Sequence, residues 1–345
     1  MRESRTSRRL LGGLAGLALL GGAAPPQRTV DSEVAEARRL AGSDFAGSLF
    51  LCEASSPKIA DMLADGPEWF LPSRAFDNLW YIGSAFVGSW VLDTGQGLVL
   101  FDALGSEAEV RDRLEPGLKS LGFAPSDIRY VVVTHGHWDH YGGAKYLQDR
   151  YHTRIALSEA DWALMEHSPP GSLERAPYFG ADTADRMPPR RDVVITDGET
   201  LRVGNAAIRL FVTPGHSPGT VSALIPVREG RRHYVLSMLG GTAFPRTLEP
   251  DGHMGGLLAF ERSVRRLSDL GRAAGAVGTI NTHVFVDGGD KRLALMRNRR
   301  AGESNPFVLG RDKVVRYYGM FRACLGAAEL RPHDANAGPP MPSKQ

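Results

Sequence analysis

Four potential metal ligands fall within six consecutive positions, directly after a short apolar segment. Residues 134–140 read Thr-His-Gly-His-Trp-Asp-His, and residues 128–133 before them are mostly β-branched. Such a run ahead of a glycine-containing loop predicts a buried strand whose end exposes the loop. His135 and His137 share one side of a nearly extended segment and can bind one ion. Asp139 and His140 follow where the chain turns towards a predicted helix, and they can face a second ion.

Two later histidines also stand at the ends of apolar segments. His216 lies in a Pro/Gly-rich turn after residues 207–212, and His283 ends the run 278–283. Three strand ends that carry histidine can converge on one edge of a β-sheet core, which gives six ligands for two metals. Imidazole and carboxylate suit Zn²⁺, although they also suit iron and manganese. The sequence therefore predicts a centre for two Zn²⁺ ions.

This pattern resembles the metallo-β-lactamase superfamily, whose signature is His-x-His-x-Asp-His followed by a Gly-His turn and a last histidine. The resemblance covers roughly residues 75–300. It implies two ligand sets, one for each zinc. The first set is His135, His137 and His216, and the second is Asp139, His140 and His283.

The sequence departs from many members of that superfamily at a fourth landmark. Those members carry an aspartate that bridges both ions, whereas residues 236–244 of this chain contain no carboxylate. Glyoxalase-type thioesterases and quorum-signal lactonases generally keep the aspartate, and the third subclass of zinc β-lactamases has a serine there. Thr242, or Gly241 in another alignment, takes that position here. The third subclass is the closest match, and Thr242 is the candidate substrate-binding hydroxyl.

The resemblance implies a zinc-dependent hydrolase that opens a β-lactam, a cyclic amide, by attack of a metal-bound hydroxide. Asp139 is the catalytic candidate, because its carboxylate can orient the hydroxide and carry its proton. A lactone, thioester or other small ester is the alternative substrate. A metal-binding protein without catalysis is a third possibility, because the bridging carboxylate is missing.

The order of predicted elements favours an α/β chain folded as a four-layer αβ/βα sandwich. Two blocks of strands are each followed by helices, and the 345 residues, 42% of them hydrophobic, can bury one large core. Predicted strands lie at 78–82, 86–93, 97–102, 128–133, 154–158, 192–196, 201–203, 207–212, 220–226 and 233–238. Predicted helices lie at 107–121, 142–150, 160–167, 258–274, 291–298 and 312–325, and 168–191 is a predicted long loop.

The N-terminus predicts export. Four arginines precede an apolar stretch of about 15 residues that ends in small residues, which is the pattern of a signal peptide and is too short to span a bilayer. Residues 7–11 further resemble a twin-arginine signal. The predicted divisions are a signal peptide at 1–24, an N-terminal extension at 25–70, the metallo-β-lactamase domain at 71–304, a C-terminal helical extension at 305–329 and a disordered tail at 330–345.

Charge and cysteine content limit the partners. The first nine residues carry a net charge of +3, so the formal net charge of +2 becomes −1 once they are removed, and no basic stripe remains for nucleic acid. The predicted partner is a small-molecule substrate, without stable membrane insertion after signal removal, and the sequence leaves the oligomeric state open. Cys52 and Cys324 either form a disulfide in an oxidising compartment or remain two buried thiols.

Overall fold

The computed structural model describes residues 27–53, 68–168 and 187–333. Two β-sheets face each other across an apolar core, and helices cover the outer face of each sheet. The predicted four-layer αβ/βα sandwich is confirmed. Within the described part of the chain, no helix combines the length and apolar character needed to cross a membrane.

The first sheet has seven strands in chain order, so each strand pairs with the next. Pairing is antiparallel from β1 to β4 and parallel from β4 to β7. The parallel half therefore places the carboxyl ends of β4, β5 and β6 at one edge. The strands are β1 (Ser73–Phe76), β2 (Leu79–Gly83), β3 (Gly88–Asp93), β4 (Leu98–Phe101), β5 (Ile128–Val132), β6 (Arg154–Ser158) and β7 (Val193–Ile195).

The second sheet has five strands in the order β12-β11-β10-β9-β8. Its strands pair antiparallel, except that β12 lies parallel to β11. The chain reaches β12 by a helical crossover, which is the usual route to a parallel neighbour. The strands are β8 (Thr200–Val203), β9 (Ala206–Val212), β10 (Val221–Glu229), β11 (Arg232–Met238) and β12 (Gly278–Ile280).

Alternate side chains of the central strands point to opposite layers, as the two-residue period of a strand requires. In β3, Trp90 lies between the sheets, whereas Val91 faces the helices of the first sheet. In β10, Ala223 and Ile225 lie between the sheets, whereas Leu224 faces the helices of the second sheet. Both faces of each sheet are therefore buried.

Helices form the two outer layers. The first sheet is covered by α2 to α5, and the second by α1, α6 and α8. In α2, a π-helical turn (Val110–Leu114) joins the α-helical pieces Glu107–Glu109 and Glu115–Ser120, just before Pro116, which has no N–H to donate. The others are α1 (Val30–Ala41), α3 (Trp138–Tyr141), α4 (Ala144–Tyr151), α5 (Glu159–His167), α6 (Leu257–Ala273), α7 (Gly289–Arg297) and α8 (Arg311–Glu329). Single 3₁₀ helices lie at Ala46–Cys52 and Pro125–Asp127.

The sequence analysis did not predict helix α1 or strand β1. The buried residues of α1 are Ala37 and Ala41, so its apolar stripe is weak, and half of its sequence is charged or polar. β1 has only four residues and includes an exposed arginine, which is too short a pattern to recognise. The predicted signal peptide at 1–24, most of the loop predicted at 168–191 and the predicted tail from 334 onwards lie outside the described residues.

The N-terminal residues pack on the C-terminal helix. α1 lies along α8, and the 3₁₀ helix that follows α1 ends at Cys52, which forms a disulfide with Cys324 of α8. Asp44, between the two helical segments, pairs with Lys313 at 2.7 Å and with Arg316. The structure thus places residues 27–53 in the helical layer of the second sheet.

Replacing Gly142 by alanine is expected to lower the free energy of unfolding by about 1–3 kcal/mol, the usual cost of an overpacked core. Gly142 has ordinary helical dihedral angles, but an added Cβ lies 2.0 Å from the carbonyl oxygen of Gly105. Backbone atoms cannot move aside like a flexible side chain. Urea unfolding followed by circular dichroism measures the change.

Gly271→Ala is the matched control. An added Cβ there makes only ordinary contacts, the closest at 3.5 Å, inside α6. Stability is expected to stay constant or rise by up to about 1 kcal/mol, the helix propensity gained by alanine. Equal effects of the two substitutions would contradict the packing argument.

Candidate metal centre

The loop after β5 carries four of the predicted ligands. It leaves the sheet at Val133, and α3 begins at Trp138. His135 lies in the bend that follows β5 and His137 has extended backbone, whereas Asp139 and His140 lie on the first turn of a helix. The Thr134 carbonyl accepts a 2.7 Å hydrogen bond from the backbone N–H of Val221, which joins this loop to the second sheet.

The other two predicted ligands come from the second sheet. His216 lies in the turn that joins β9 to β10, and His283 follows β12. Asn281 supports the second of these positions: its side chain accepts from the His283 N–H at 2.9 Å and donates to the Leu239 carbonyl at 2.8 Å. The edge of the sandwich therefore receives ligands from both sheets.

The structure brings these residues together in two groups of three. One group is His135, His137 and His216, and the other is Asp139, His140 and His283; within each group the ligand atoms lie within 4.8 Å of one another. The groups adjoin, because the ring centroids of His135 and His140 are 3.9 Å apart. The grouping is the same as the one that the resemblance implied.

Hydrogen bonds at Nδ1 fix the orientation of four of the five imidazoles. The Nδ1 atoms of His135, His216 and His283 lie 2.8, 2.9 and 2.8 Å from the carbonyl oxygens of Gly240, Ala243 and Phe86. His140 Nδ1 lies 2.6 Å from Asp102 Oδ2. A carbonyl oxygen only accepts, so the proton resides on Nδ1 in each of the first three rings. Their Nε2 atoms are left as lone-pair donors.

These Nε2 atoms face each other in pairs. The distance is 2.9 Å between His135 and His216, and 3.1 Å between His140 and His283. In the His135–His216 pair both rings carry their proton on Nδ1, so two lone pairs meet, which is unfavourable unless both bind a cation. In the His140–His283 pair the raised pKa of His140 places a proton between the two Nε2 atoms, in the position that a metal ion would take. The donor set thus fits a metal ion in each group, with imidazole and carboxylate ligands typical of zinc.

The pKa values support that assignment for the first group. Burial lowers the pKa of both His135 and His216 well below the usual value, and the neighbouring imidazoles lower it further. These rings are therefore neutral at pH 7, the form that binds metal.

In the second group, neighbouring charges determine the direction in which the pKa values shift. Burial alone would lower the pKa of His140, but the Asp139 and Asp102 carboxylates outweigh it and raise the pKa to about 10. Burial alone would raise the pKa of Asp139, but the neighbouring His140 holds it well below its usual range. Asp139 Oδ2 lies 3.4 Å from His140 Nε2 and 3.5 Å from His283 Nε2.

Asp102 is a supporting residue that the sequence analysis missed. It follows β4 in left-handed backbone (φ 67°) and is fully buried. Its carboxylate accepts from the Thr134 N–H at 2.6 Å and the Thr134 hydroxyl at 2.9 Å, besides facing His140. A carboxylate directly after a buried strand is the signal that could have identified it, by the same strand-end rule that found His135.

Asp161 is a second missed residue, and it connects both loops of the first group. Its Oδ2 accepts from the Gly136 N–H at 2.9 Å and the Ser217 hydroxyl at 2.6 Å, and its Oδ1 accepts from the Gly219 N–H at 2.6 Å. It lies on α5, fully buried. Nothing in the sequence near Asp161 indicates a distant partner, so only the fold reveals it.

Thr242, the predicted substrate-binding residue, is buried with 4% of its surface exposed. It lies two residues after Gly240, whose carbonyl holds His135. A Cβ on Gly241 would lie 2.4 Å from the His216 ring, so this backbone packs directly against a ligand. Contact of Thr242 with a substrate remains a prediction.

Residues 84–231 match the model of the metallo-beta-lactamase superfamily. This segment contains five of the six candidate ligands, all except His283. Over these residues the chain is similar to that superfamily.

Two proteins are similar to this chain in sequence over part of its length, and one solved structure has a similar fold. The chain is 30% identical over 107 residues to hydroxyacylglutathione hydrolase of Acidiphilium cryptum, covering 31% of this chain and 35% of that protein. It is 29% identical over 132 residues to N-acyl homoserine lactonase of Bacillus cereus, covering 36% and 46%. The fold is similar to that of BJP-1, a subclass B3 metallo-beta-lactamase of Bradyrhizobium japonicum, with a TM-score of 0.61 and 23% identity over 74% of this chain and 92% of that one. The chain thus spans less than half of either sequence relative.

Asp161→Ala is expected to weaken zinc binding by the first group about 10- to 100-fold, the usual effect of removing a group that orients metal ligands. The substitution removes three hydrogen bonds that hold the loops of His135 and His216. Competition with a chromophoric chelator measures the affinity. Asp197→Ala is the control, since Asp197 pairs with Arg266 on the surface; an equal loss in both variants would argue against the role of Asp161.

Zinc binding by the second group is expected to strengthen as the pH rises from about 6 to about 8, because ligands must lose their protons to bind metal. With a pKa of about 10, His140 is protonated in this range, so zinc must displace a proton from Nε2. Each pH unit below the pKa then costs about tenfold in affinity. Calorimetric titrations in buffers of different ionisation enthalpy count the released protons, and binding without proton release would contradict the raised pKa.

Proposed function

We propose that this chain is an exported, zinc-dependent hydrolase that opens the cyclic amide of β-lactams. The observation that carries the metal assignment is the pair of short Nε2–Nε2 distances, each between imidazoles whose Nδ1 atoms face buried acceptors. We assign one Zn²⁺ to each group of three ligands. The match of residues 84–231 to the model of the metallo-beta-lactamase superfamily supports a hydrolase.

When bound, zinc polarises a carbonyl and lowers the pKa of water enough to provide hydroxide near neutral pH. The protein supplies the geometry and the proton carrier. Asp139 is ionised and lies between His140 and His283, so one carboxylate oxygen can accept a proton and release it to the leaving nitrogen. Asp102 and Asp161 keep the histidines in place from behind.

The missing carboxylate favours a β-lactam over the other substrates. Residues 236–244, which lead from β11 past His135 and His216, contain no acidic side chain that could bridge the two groups. The second group therefore offers only three protein ligands, which leaves room for a substrate nitrogen as its charge develops. The similarity of the fold to BJP-1, a subclass B3 metallo-beta-lactamase, supports this choice.

A lactone or thioester is the second candidate. It is favoured by the two relatives, whose names are N-acyl homoserine lactonase and hydroxyacylglutathione hydrolase. The chemistry is the same up to the leaving atom, which is oxygen or sulfur instead of nitrogen. A metal-binding role without turnover remains the third hypothesis.

The disulfide supports export. Disulfides form and persist in oxidising compartments such as the periplasm, and they are rare in the cytosol. The Cys52–Cys324 bond therefore agrees with the signal-like pattern of residues 1–24. β-Lactam hydrolysis outside the cytoplasm would protect a cell from these antibiotics.

The purified, zinc-loaded chain is expected to hydrolyse nitrocefin faster than an N-acyl homoserine lactone or a hydroxyacylglutathione thioester. His135→Ala should lower kcat/KM at least about 10³-fold, the equivalent of the several kcal/mol that a metal ion supplies as a Lewis acid. Preferred turnover of the lactone or thioester would select the second candidate. Bound zinc without turnover of any of the three compounds would select the third.

A further inference from the structure

The 3₁₀ helix Ala46–Cys52 is fixed on both sides. Before it, Asp44 pairs with two cations of α8; at its end, Cys52 is bonded to Cys324, and the Cys52 carbonyl accepts from Arg331. The segment is thus held on the C-terminal helix rather than by the sheets. We call residues 46–52 the stapled segment.

The stapled segment reaches the metal centre through aromatic side chains. The ring of Phe50 lies 5.6 Å from that of Phe285, centroid to centroid. Phe285 lies 5.8 Å from the ring of His283, and Phe86 lies 4.8 Å from it. Phe86 and Phe285 are stacked at 6.4 Å and are almost fully buried. A continuous set of ring contacts therefore joins Phe50 to a candidate ligand.

His283 needs such support more than the other candidate ligands do. It follows β12, a strand of only three residues, and Nδ1 is held by the carbonyl of Phe86. Two rings, Phe86 and Phe285, form the apolar side of its pocket. Packing by Phe50 keeps Phe285 against His283, because a cavity at that contact would let the ring move.

We propose that Phe50 is a positioning residue for the second metal group, and that the Cys52–Cys324 disulfide holds it there. The stapled segment thereby supports the metal centre through Phe285. The first group is supported from the opposite layer by Asp161, so the effect of Phe50 is selective for the group that contains His283. This inference rests on the proposed function only in that both groups bind zinc.

Zinc titration of the full oxidised chain tests the proposal. The affinity of each group is measured by competition with a chromophoric chelator, and His283→Ala assigns the step that belongs to the second group. Phe50→Leu is expected to weaken that step about tenfold, the low end of the range for groups that support a metal-ligating histidine, and to leave the other step unchanged. The double variant Cys52→Ser, Cys324→Ser is expected to have the same effect.

Phe45→Leu is the matched control. Phe45 lies just before the stapled segment and is also a phenylalanine; it is buried, whereas Phe50 is half-buried, and its ring contacts Tyr317 of α8 at 5.3 Å. Thermal melting monitors folding in every variant. If Phe50→Leu leaves the second step unchanged, or weakens both steps equally, the proposal is wrong while the two-zinc assignment stands. A wild-type chain that binds no zinc would overturn the assignment itself.

Discussion

The centre depends on imidazoles held with their Nε2 atoms directed at one another. In the His135–His216 pair two lone pairs meet, which is unfavourable by itself, and both pairs persist because buried acceptors hold the opposite nitrogen of each ring. Three of those acceptors are backbone carbonyls, which belong to Gly240, Ala243 and Phe86. The preference for metal is thus encoded in the path of the main chain as much as in the ligands themselves.

Both sheets contribute residues to the site. β4 and β5 supply Asp102 and the loop 134–140, whereas the second sheet supplies His216 and His283. Asp161 belongs to neither sheet, yet it binds a loop from each of them. Because each group combines ligands from both sheets, the centre cannot form before the two halves of the sandwich pack together.

The sequence predicted the ligands and the layers better than the residues that hold them. Clustered histidines at strand ends are a local signal, so His135, His137, Asp139 and His140 could be recognised from spacing alone. His216 and His283 required the resemblance before either could be assigned to a group. Asp161 could not be found, because its partners are 25 to 58 positions away and a lone aspartate in a helix ordinarily faces solvent. α1 was missed because its buried contacts are made by alanine.

The disulfide also constrains the order in which parts of the chain can fold. Its two cysteines are separated by 272 positions, so the bond cannot close until nearly the whole described chain has been synthesised. A nascent chain can complete the first sheet long before Cys324 emerges. With the proposed role of Phe50, the side of the metal centre beside His283 is completed last, when the disulfide joins residues 46–52 to α8.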